Sequence, residues 1–277
     1  MDAVRAPMNA GNAVFPRFAL LLLVLAALVL SGCATVPHTG RYQLVFLDQE
    51  EEMALGVQGA KEVLSKEKEE KGTARAKRVE RIGKKIAIAA DQPHFEWEFH
   101  TIPSKTLNAF CLPGGKIFVY TALLDLTYGN DDQLAAVIGH EVAHAVARHG
   151  AERMSQNQLL GWGGAITQVA TEQLTGSKQS GETMAKGYAY VATLGVLLPY
   201  SRSHESEADE IGIILAAQAG YDPRAAIAFW NKMASANQGK EPPAFLSTHP
   251  LNEDRIEYLE EVMPKALEYY KKPAKKK

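Results

Sequence analysis

The chain has 277 residues, of which 46% are hydrophobic, enough to bury one large core or two small ones. Its 30 basic and 32 acidic residues leave a formal net charge of −2 at pH 7, and five of the basic residues are lysines within positions 271–277. The rest of the chain is therefore acidic, which argues against a nucleic-acid partner and leaves 271–277 as a short basic tail.

The N-terminal stretch has the pattern of a signal sequence. Arg5 and Arg17 precede an uninterrupted apolar run, Phe18–Leu30, which is too short to span a bilayer and suits a signal-peptide core. The run leads into Leu-Ser-Gly-Cys, which resembles the lipobox of bacterial lipoproteins. We expect residues 1–32 to be a signal peptide and Cys33 to become the lipidated anchor on a membrane; a plain secretory signal is the alternative.

The residues around Cys33 also predict a location and a division of the chain. By resemblance to Gram-negative lipoproteins, Ala34 in place of Asp favours the outer membrane over the inner one, so we expect a lipid-anchored periplasmic protein. Residues 33–46 are interpreted as a tether and residues 47–270 as the folded domain. Because lipidation occupies Cys33, Cys111 has no disulfide partner, and stability must come from the core and a metal.

The first part of the domain predicts two helices followed by two strands. Charged and apolar residues alternate with helical spacing over residues 48–71 and 73–90, and Gly72 separates the two segments. Residues 95–100 alternate strictly between aromatic and polar side chains, which predicts a half-buried strand. A Pro-Gly-Gly turn then leads, hairpin-like, into a second strand over residues 116–120, rich in β-forming side chains.

The segment 134–146 combines an apolar helical pattern with the motif His-Glu-x-x-His. His140 and His144 are slightly more than one helical turn apart, so their imidazoles project from one face and can converge on one zinc ion. Glu141 lies on the flank of that face, where its carboxylate can act as a general base without binding the metal. An ordinary amphipathic helix is the alternative, but it would bury three polar side chains at considerable cost.

The metal helix is expected to begin after Asn130 or Asp131 and to end near Gly150. Further helical patterns over residues 156–175 and 182–199 predict a helical hairpin. A Gly-Trp-Gly-Gly run weakens the first of these helices, so part of the hairpin is also a candidate for a mobile flap over the cleft.

A catalytic zinc ion normally has three protein ligands and an open position, so a third ligand must come from later in the chain. Glu205 and Asp209 lie one turn apart on one face of a predicted helix. Glu205 can bind the zinc, while Asp209 can accept the free N–H of a ligand histidine, expected to be His140, and so fix its tautomer.

Three nearby residues fit a ligand role less well. Glu207 points about 200° away from Glu205 around the helix and is expected to be solvated. His149 and His204 are interpreted as packing or surface histidines.

These motifs resemble the gluzincin metalloproteases of the family containing HtpX, BepA and the CAAX prenyl protease, particularly its soluble periplasmic lipoproteins. The matching elements are Asn108–Gly115, His-Glu-x-x-His at 140–144, Glu-x-x-x-Asp at 205–209 with Gly212, and Thr248-His249-Pro250 followed by Arg255. The resemblance implies an α+β, mostly helical zincin fold with a small antiparallel sheet. It also implies one zinc ion per chain held by His140, His144 and Glu205. Glu141 is then the base.

His249 lies in a Pro-flanked turn within one of these motifs. A neutral imidazole there can either stabilise the developing oxyanion or occupy the fourth zinc position. In the second case it would displace the water and keep the enzyme latent until the turn moves.

The predicted activity is hydrolysis of peptide bonds. Because an extended substrate can pair with a free strand edge, we expect substrate binding along one strand, formed by Lys116, Ile117, Phe118, Val119 and Tyr120. The resemblance implies unfolded or misassembled envelope proteins as substrates, hence protein quality control. Two alternatives are a chaperone or assembly factor for outer-membrane proteins with a plugged zinc site, and a zinc hydrolase acting on non-peptide bonds.

Overall fold

The computed structural model describes residues 33–192, 198–236, 244–250 and 253–270. The helices in this part of the chain are α1 (Gln49–Lys66), α2 (Ala74–Ala90), α3 (Thr121–Leu126), α4 (Asp131–Val146), α5 (His149–Thr175), α6 (Lys178–Ala192), α7 (Leu198–Gln218), α8 (Ala225–Ala236), α9 (Ala244–Thr248) and α10 (Glu253–Tyr269). Each of them is too short or too polar to cross a bilayer. The predicted signal peptide, 1–32, and basic tail, 271–277, lie outside the described residues.

Five short strands form two sheets within the described ranges. Strands β1 (Cys33–Thr35) and β2 (Tyr42–Leu44) form an antiparallel hairpin. Strands β3 (Glu98–Ile102), β4 (Ala109–Leu112) and β5 (Lys116–Tyr120) form a sheet in the order β3-β5-β4. The predicted antiparallel pairing is found between β4 and β5, and β3 adds to β5 in parallel. The mostly helical α+β class with a small sheet is confirmed.

The sheet order contradicts the prediction that β5 offers a free edge. Each residue of β5 faces a partner on β3, and four of the five also face a partner on β4, so the strand is central. Its members are Lys116, Ile117, Phe118, Val119 and Tyr120. The prediction is wrong because β3, the strand that follows α2, pairs with the side of β5 that faces away from β4. Local sequence does not specify this pairing. The strands at the two edges are β3 and β4.

The helix boundaries also differ in places from the sequence pattern. The metal helix α4 ends at Val146 rather than near Gly150, because Arg148 adopts a left-handed conformation with φ of 56°. In that conformation Arg148 donates a hydrogen bond to Glu52 at 2.6 Å. Helices α5 and α6 pack as the predicted hairpin, and the Gly-Trp-Gly-Gly run lies inside the continuous helix α5.

The stretch interpreted as a tether, residues 33–46, is folded against the domain. Val36 and Val45 are buried, and Arg41 reaches two carboxylates on α5 and α7. The β1–β2 hairpin is therefore part of the folded body in this structure rather than an extended linker.

Helix α4 is buried along almost its whole length and packs closely against α7. The two backbones approach at a pair of glycines. A Cβ atom on Gly139 would lie 2.6 Å from the carbonyl oxygen of Gly212, and one on Gly212 would lie 2.8 Å from the backbone nitrogen of His140. Only glycine fits here, and this close approach brings Glu205 and Asp209 of α7 to the histidines of α4.

Candidate metal centre

After its polar first turn, helix α4 is apolar from Leu134 onward except for three side chains, and all three are buried: His140, Glu141 and His144. The helix begins after Asn130, whose side chain accepts the N–H of Gln133 at 2.9 Å, as the capping pattern predicts. Burial of polar groups is unfavourable unless each finds a partner or a metal. The partners come from α7 and from the turn that follows α9.

Four buried side chains converge on one point: His140, His144, Glu205 and His249 offer ligand atoms within 4.8 Å of one another. Nε2 of His140 is 3.1 Å from Nε2 of His144 and 3.2 Å from Oε2 of Glu205. Nδ1 of His249 lies 3.2 Å from Nε2 of His140 and 3.0 Å from Oε2 of Glu205. The structure thus brings the three predicted ligands and His249 into one cluster.

This cluster fits a zinc ion. Tetrahedral zinc binds nitrogen and oxygen at about 2.0–2.2 Å, which separates neighbouring ligand atoms by about 3.3–3.6 Å. The shortest separations within the cluster, 3.0 to 3.4 Å, are close to that spacing. Ligating lone pairs that face one another at such distances repel unless a cation lies between them. Imidazole nitrogens and a carboxylate are the donors that zinc prefers.

Asp209 and Arg255 support the cluster. Oδ1 of Asp209 lies 2.9 Å from Nδ1 of His140, where a carboxylate fixes the tautomer of a ligand histidine. Burial lowers the pKa of His140, but Asp209 and Glu205 outweigh it and raise that pKa to about 9. Arg255 donates to both oxygens of Asp209, at 2.7 and 2.8 Å, and lies 3.2 Å from Glu205. Sequence pointed to Arg255 only through the family resemblance.

Glu141 is buried beside the cluster, and neither of its oxygens has a hydrogen-bond partner in the part of the chain that the structure describes. Nε2 of His249 is 3.5 Å from its Oε1. Burial raises the pKa of Glu141. The residue lines a cavity of about 210 Å³ together with Phe110, Cys111 and His144. An unpartnered carboxylate with a raised pKa, facing a cavity next to metal ligands, suits a general base.

A second polar network, which the sequence did not predict, lies behind His144. Glu207, predicted to be solvated, is only 6% exposed; it accepts from Arg41 and lies 3.0 Å from Nε2 of His149. That prediction is wrong because the β1–β2 hairpin covers this face of α7. Nδ1 of His149 lies 2.8 Å from Nδ1 of His144, and burial lowers the pKa of His149 to about 4. His149 and His204 are both buried and lie outside the ligand cluster.

A buried helix with His-Glu-x-x-His, joined in one cluster by a glutamate from a later helix, has the arrangement of a zinc metallopeptidase site of the gluzincin type. The sequence matches the model of Peptidase family M48 over residues 73–263, and the chain belongs to this family. Family members use zinc, so the predicted cofactor and the predicted family are both confirmed.

Several relatives are similar to part of the chain. Mitochondrial metalloendopeptidase OMA1 of Schizosaccharomyces pombe is 40% identical over 189 residues, 68% of this chain and 53% of the relative. The human protein, metalloendopeptidase OMA1, mitochondrial, is 37% identical over 180 residues, 62% of this chain and 33% of the relative. Beta-barrel assembly-enhancing protease of Escherichia coli is 31% identical over 179 residues, 63% of this chain and 36% of the relative. The chain thus spans about half or less of their lengths.

Proposed function

We propose that the protein is a zinc-dependent endopeptidase. The observation that carries this proposal is Glu141, a buried carboxylate beside the ligand cluster that faces the cavity without a hydrogen-bond partner among the described residues. A purely structural zinc site would not need such a group. Membership of the M48 family supports the same activity, and the relatives are named as metalloendopeptidases or as a protease.

The site residues divide the chemistry between them. A bound zinc ion supplies Lewis-acid chemistry, since it lowers the pKa of a water molecule and polarises the scissile carbonyl. Glu141 takes the proton from the attacking water and then delivers it to the leaving amine. His140, His144 and Glu205 hold the metal. Asp209 keeps the ring of His140 in its ligating orientation.

The substrate is proposed to bind along β4 rather than β5. Phe110 and Cys111 of β4 line the cavity beside Glu141. No strand among the described residues pairs with the outer side of β4. An extended polypeptide can therefore add to this edge through main-chain hydrogen bonds, which places a peptide bond near the metal whatever its side chains.

The proposed substrates are unfolded or misassembled envelope proteins, cleaved in quality control by a protein anchored to the outer membrane through Cys33. The lipobox-like sequence supports the proposed lipid anchor. The relative named beta-barrel assembly-enhancing protease supports envelope proteins as the proposed substrates. Membrane fractionation of cells that express the full chain tests the location. Recovery of the protein in the soluble periplasmic fraction would contradict the anchor.

Removal of zinc tests the proposed activity directly. The full chain is expected to cleave an unfolded protein such as casein, to lose this activity on treatment with a chelator, and to recover it when Zn²⁺ is restored. The reason is that Glu141 alone cannot generate a nucleophile from bulk water at neutral pH. Release of peptides is the measurement, with a serine-protease inhibitor as control for contaminants. Cleavage that persists without zinc would contradict the proposal.

The second candidate is an assembly factor or chaperone with a latent protease site. The observation that favours it is His249, whose Nδ1 lies within the ligand cluster. There the imidazole would hold a bound zinc ion as a fourth protein ligand, in the position that a catalytic water would otherwise occupy. A conformational change in the turn after α9 would then be required before hydrolysis.

Replacing His249 with Ala separates the two roles of this residue. If the imidazole blocks the water position, the variant is expected to cleave casein about tenfold faster or more, because the blocked population becomes competent. Initial rates at saturating Zn²⁺ are the measurement, with Thr248→Ala as the neighbouring control. A fall in rate would show instead that His249 assists the transition state.

A further inference from the structure

The two ligand histidines of α4 are supported in different ways. Nδ1 of His140 faces a carboxylate oxygen of Asp209, whereas Nδ1 of His144 faces a second imidazole, that of His149, at 2.8 Å. A ligand histidine generally donates its other N–H to a fixed acceptor, and loss of that acceptor weakens metal binding. The orientation of His144 therefore depends on what holds His149.

The contacts define the order of donors and acceptors. His144 presents Nε2 to the ligand cluster, so as a neutral ligand it carries its proton on Nδ1 and donates it to His149. Nδ1 of His149 must then accept, which leaves its own proton on Nε2. That nitrogen lies 3.0 Å from Oε2 of Glu207. The three groups form a chain in which His144 donates to His149 and His149 donates to Glu207.

Glu207 is held in turn by the β1–β2 hairpin. Nε of Arg41 donates to Oε2 of Glu207 at 2.9 Å, and the hydroxyl of Thr39 donates to Oε1. The carboxylate is buried, so these two donors and His149 replace the water that it loses on folding. The two donors that hold Glu207 therefore come from residues more than 160 positions earlier in the sequence.

Arg41 also holds the ring of His149 in place indirectly, through a side chain that stacks on the flat face of that ring. Arg41 donates from Nη1 and Nη2 to the two oxygens of Glu152, at 3.0 and 2.7 Å. Glu152 lies 3.0 Å from Nε2 of His204, and the His204 ring stacks on His149 with centroids 4.2 Å apart. Arg41 thus constrains His149 in two ways, through Glu207 and through Glu152 with His204.

We propose that Arg41 is a positioning residue for the zinc ligand His144, acting through Glu207 and His149, so that the β1–β2 hairpin completes the metal centre. The hairpin precedes residues 73–263, the part that matches the family. Residues outside the family match therefore tune the zinc affinity of the site. This inference rests on the zinc site of the proposed function.

Zinc affinity of full-chain variants tests the proposal. Arg41→Met and Glu207→Gln are each expected to lower the affinity for Zn²⁺ about tenfold or more, because the acceptor of the His144 proton is no longer held. Arg41→Lys keeps a charge and a donor and is expected to restore part of the loss. Competition between the protein and a chromophoric chelator for Zn²⁺ is the measurement.

Arg78→Met is the matched control. Arg78 makes the same kinds of contact, to Asp131 and to two backbone carbonyls, but has no contact with the network behind His144. Unfolding of the zinc-free protein measures any general loss of stability. If the zinc affinity of Arg41→Met lies within twofold of the zinc affinity of Arg78→Met, the inference is overturned. This holds even if the two variants differ in their unfolding midpoints. Failure of the wild-type chain to bind Zn²⁺ would overturn the proposed function, and this inference with it.

Discussion

Replacing Glu141 with Gln is expected to slow peptide-bond cleavage by roughly 10²–10⁴-fold while zinc binding is retained. The amide has nearly the shape of the carboxylate but cannot take a proton from water. Because neither oxygen of Glu141 has a hydrogen-bond partner among the described residues, the neutral side chain should not lower the unfolding midpoint. Casein cleavage, zinc content and thermal unfolding, measured on one preparation, check the three parts.

Glu141→Asp is the matched comparison, since it keeps the charge and shortens the side chain by one methylene. An intermediate rate is expected, because the carboxylate remains but is drawn back from the water. A Gln variant that binds zinc and still cleaves at the wild-type rate would remove Glu141 from the mechanism. If the Gln variant lacks cleavage but supports the same function in cells, the assembly-factor role is favoured.

Replacing Arg255 with Met is expected to lower the free energy of unfolding by about 3–5 kcal/mol. Arg255 is 2% exposed and donates to both oxygens of Asp209, so its removal leaves a buried carboxylate without its main cationic partner. Met preserves apolar contact with the ring of Trp230, over which the guanidinium lies at 3.9 Å. Urea unfolding of the zinc-bound protein is the measurement.

A second substitution separates the charge effect from the positioning effect. In the double variant Arg255→Met, Asp209→Asn, the buried unpaired charge is gone, so part of the lost stability should return. Zinc affinity should stay low, because an amide is a weaker acceptor for the N–H of His140 than a carboxylate. If the single variant unfolds at the wild-type urea concentration, the pair does not stabilise the fold.

Helical geometry explains why much of the metal centre could be predicted from the sequence. The spacing of His140 and His144 places both rings on one face wherever the helix lies, because a turn of helix is local. The same rule put Asp209 one turn from Glu205. Which of the later carboxylates is the ligand required the family resemblance, since spacing within one helix does not say what that helix packs against.

The residues that were misassigned from the sequence depend instead on contacts between distant segments. β5 has the composition of a strand, but its central place depends on parallel pairing with β3, which is separated from it along the chain by β4. Glu207 has a solvated pattern, but a hairpin from the start of the described chain covers it. No local pattern contains either fact.

The sequence by itself determined the metal helix, the placement of its two histidines and of Glu141, and the class of chemistry, because these follow from residue types at fixed spacing along one helix. Only the tertiary structure decided which strand is the edge, how closely α4 and α7 approach at Gly139 and Gly212, and that Arg41 lies behind His144. These features depend on contacts between segments far apart in the chain. They form when the apolar faces of those segments are buried together, and burial is non-directional, so its outcome is set by the whole fold.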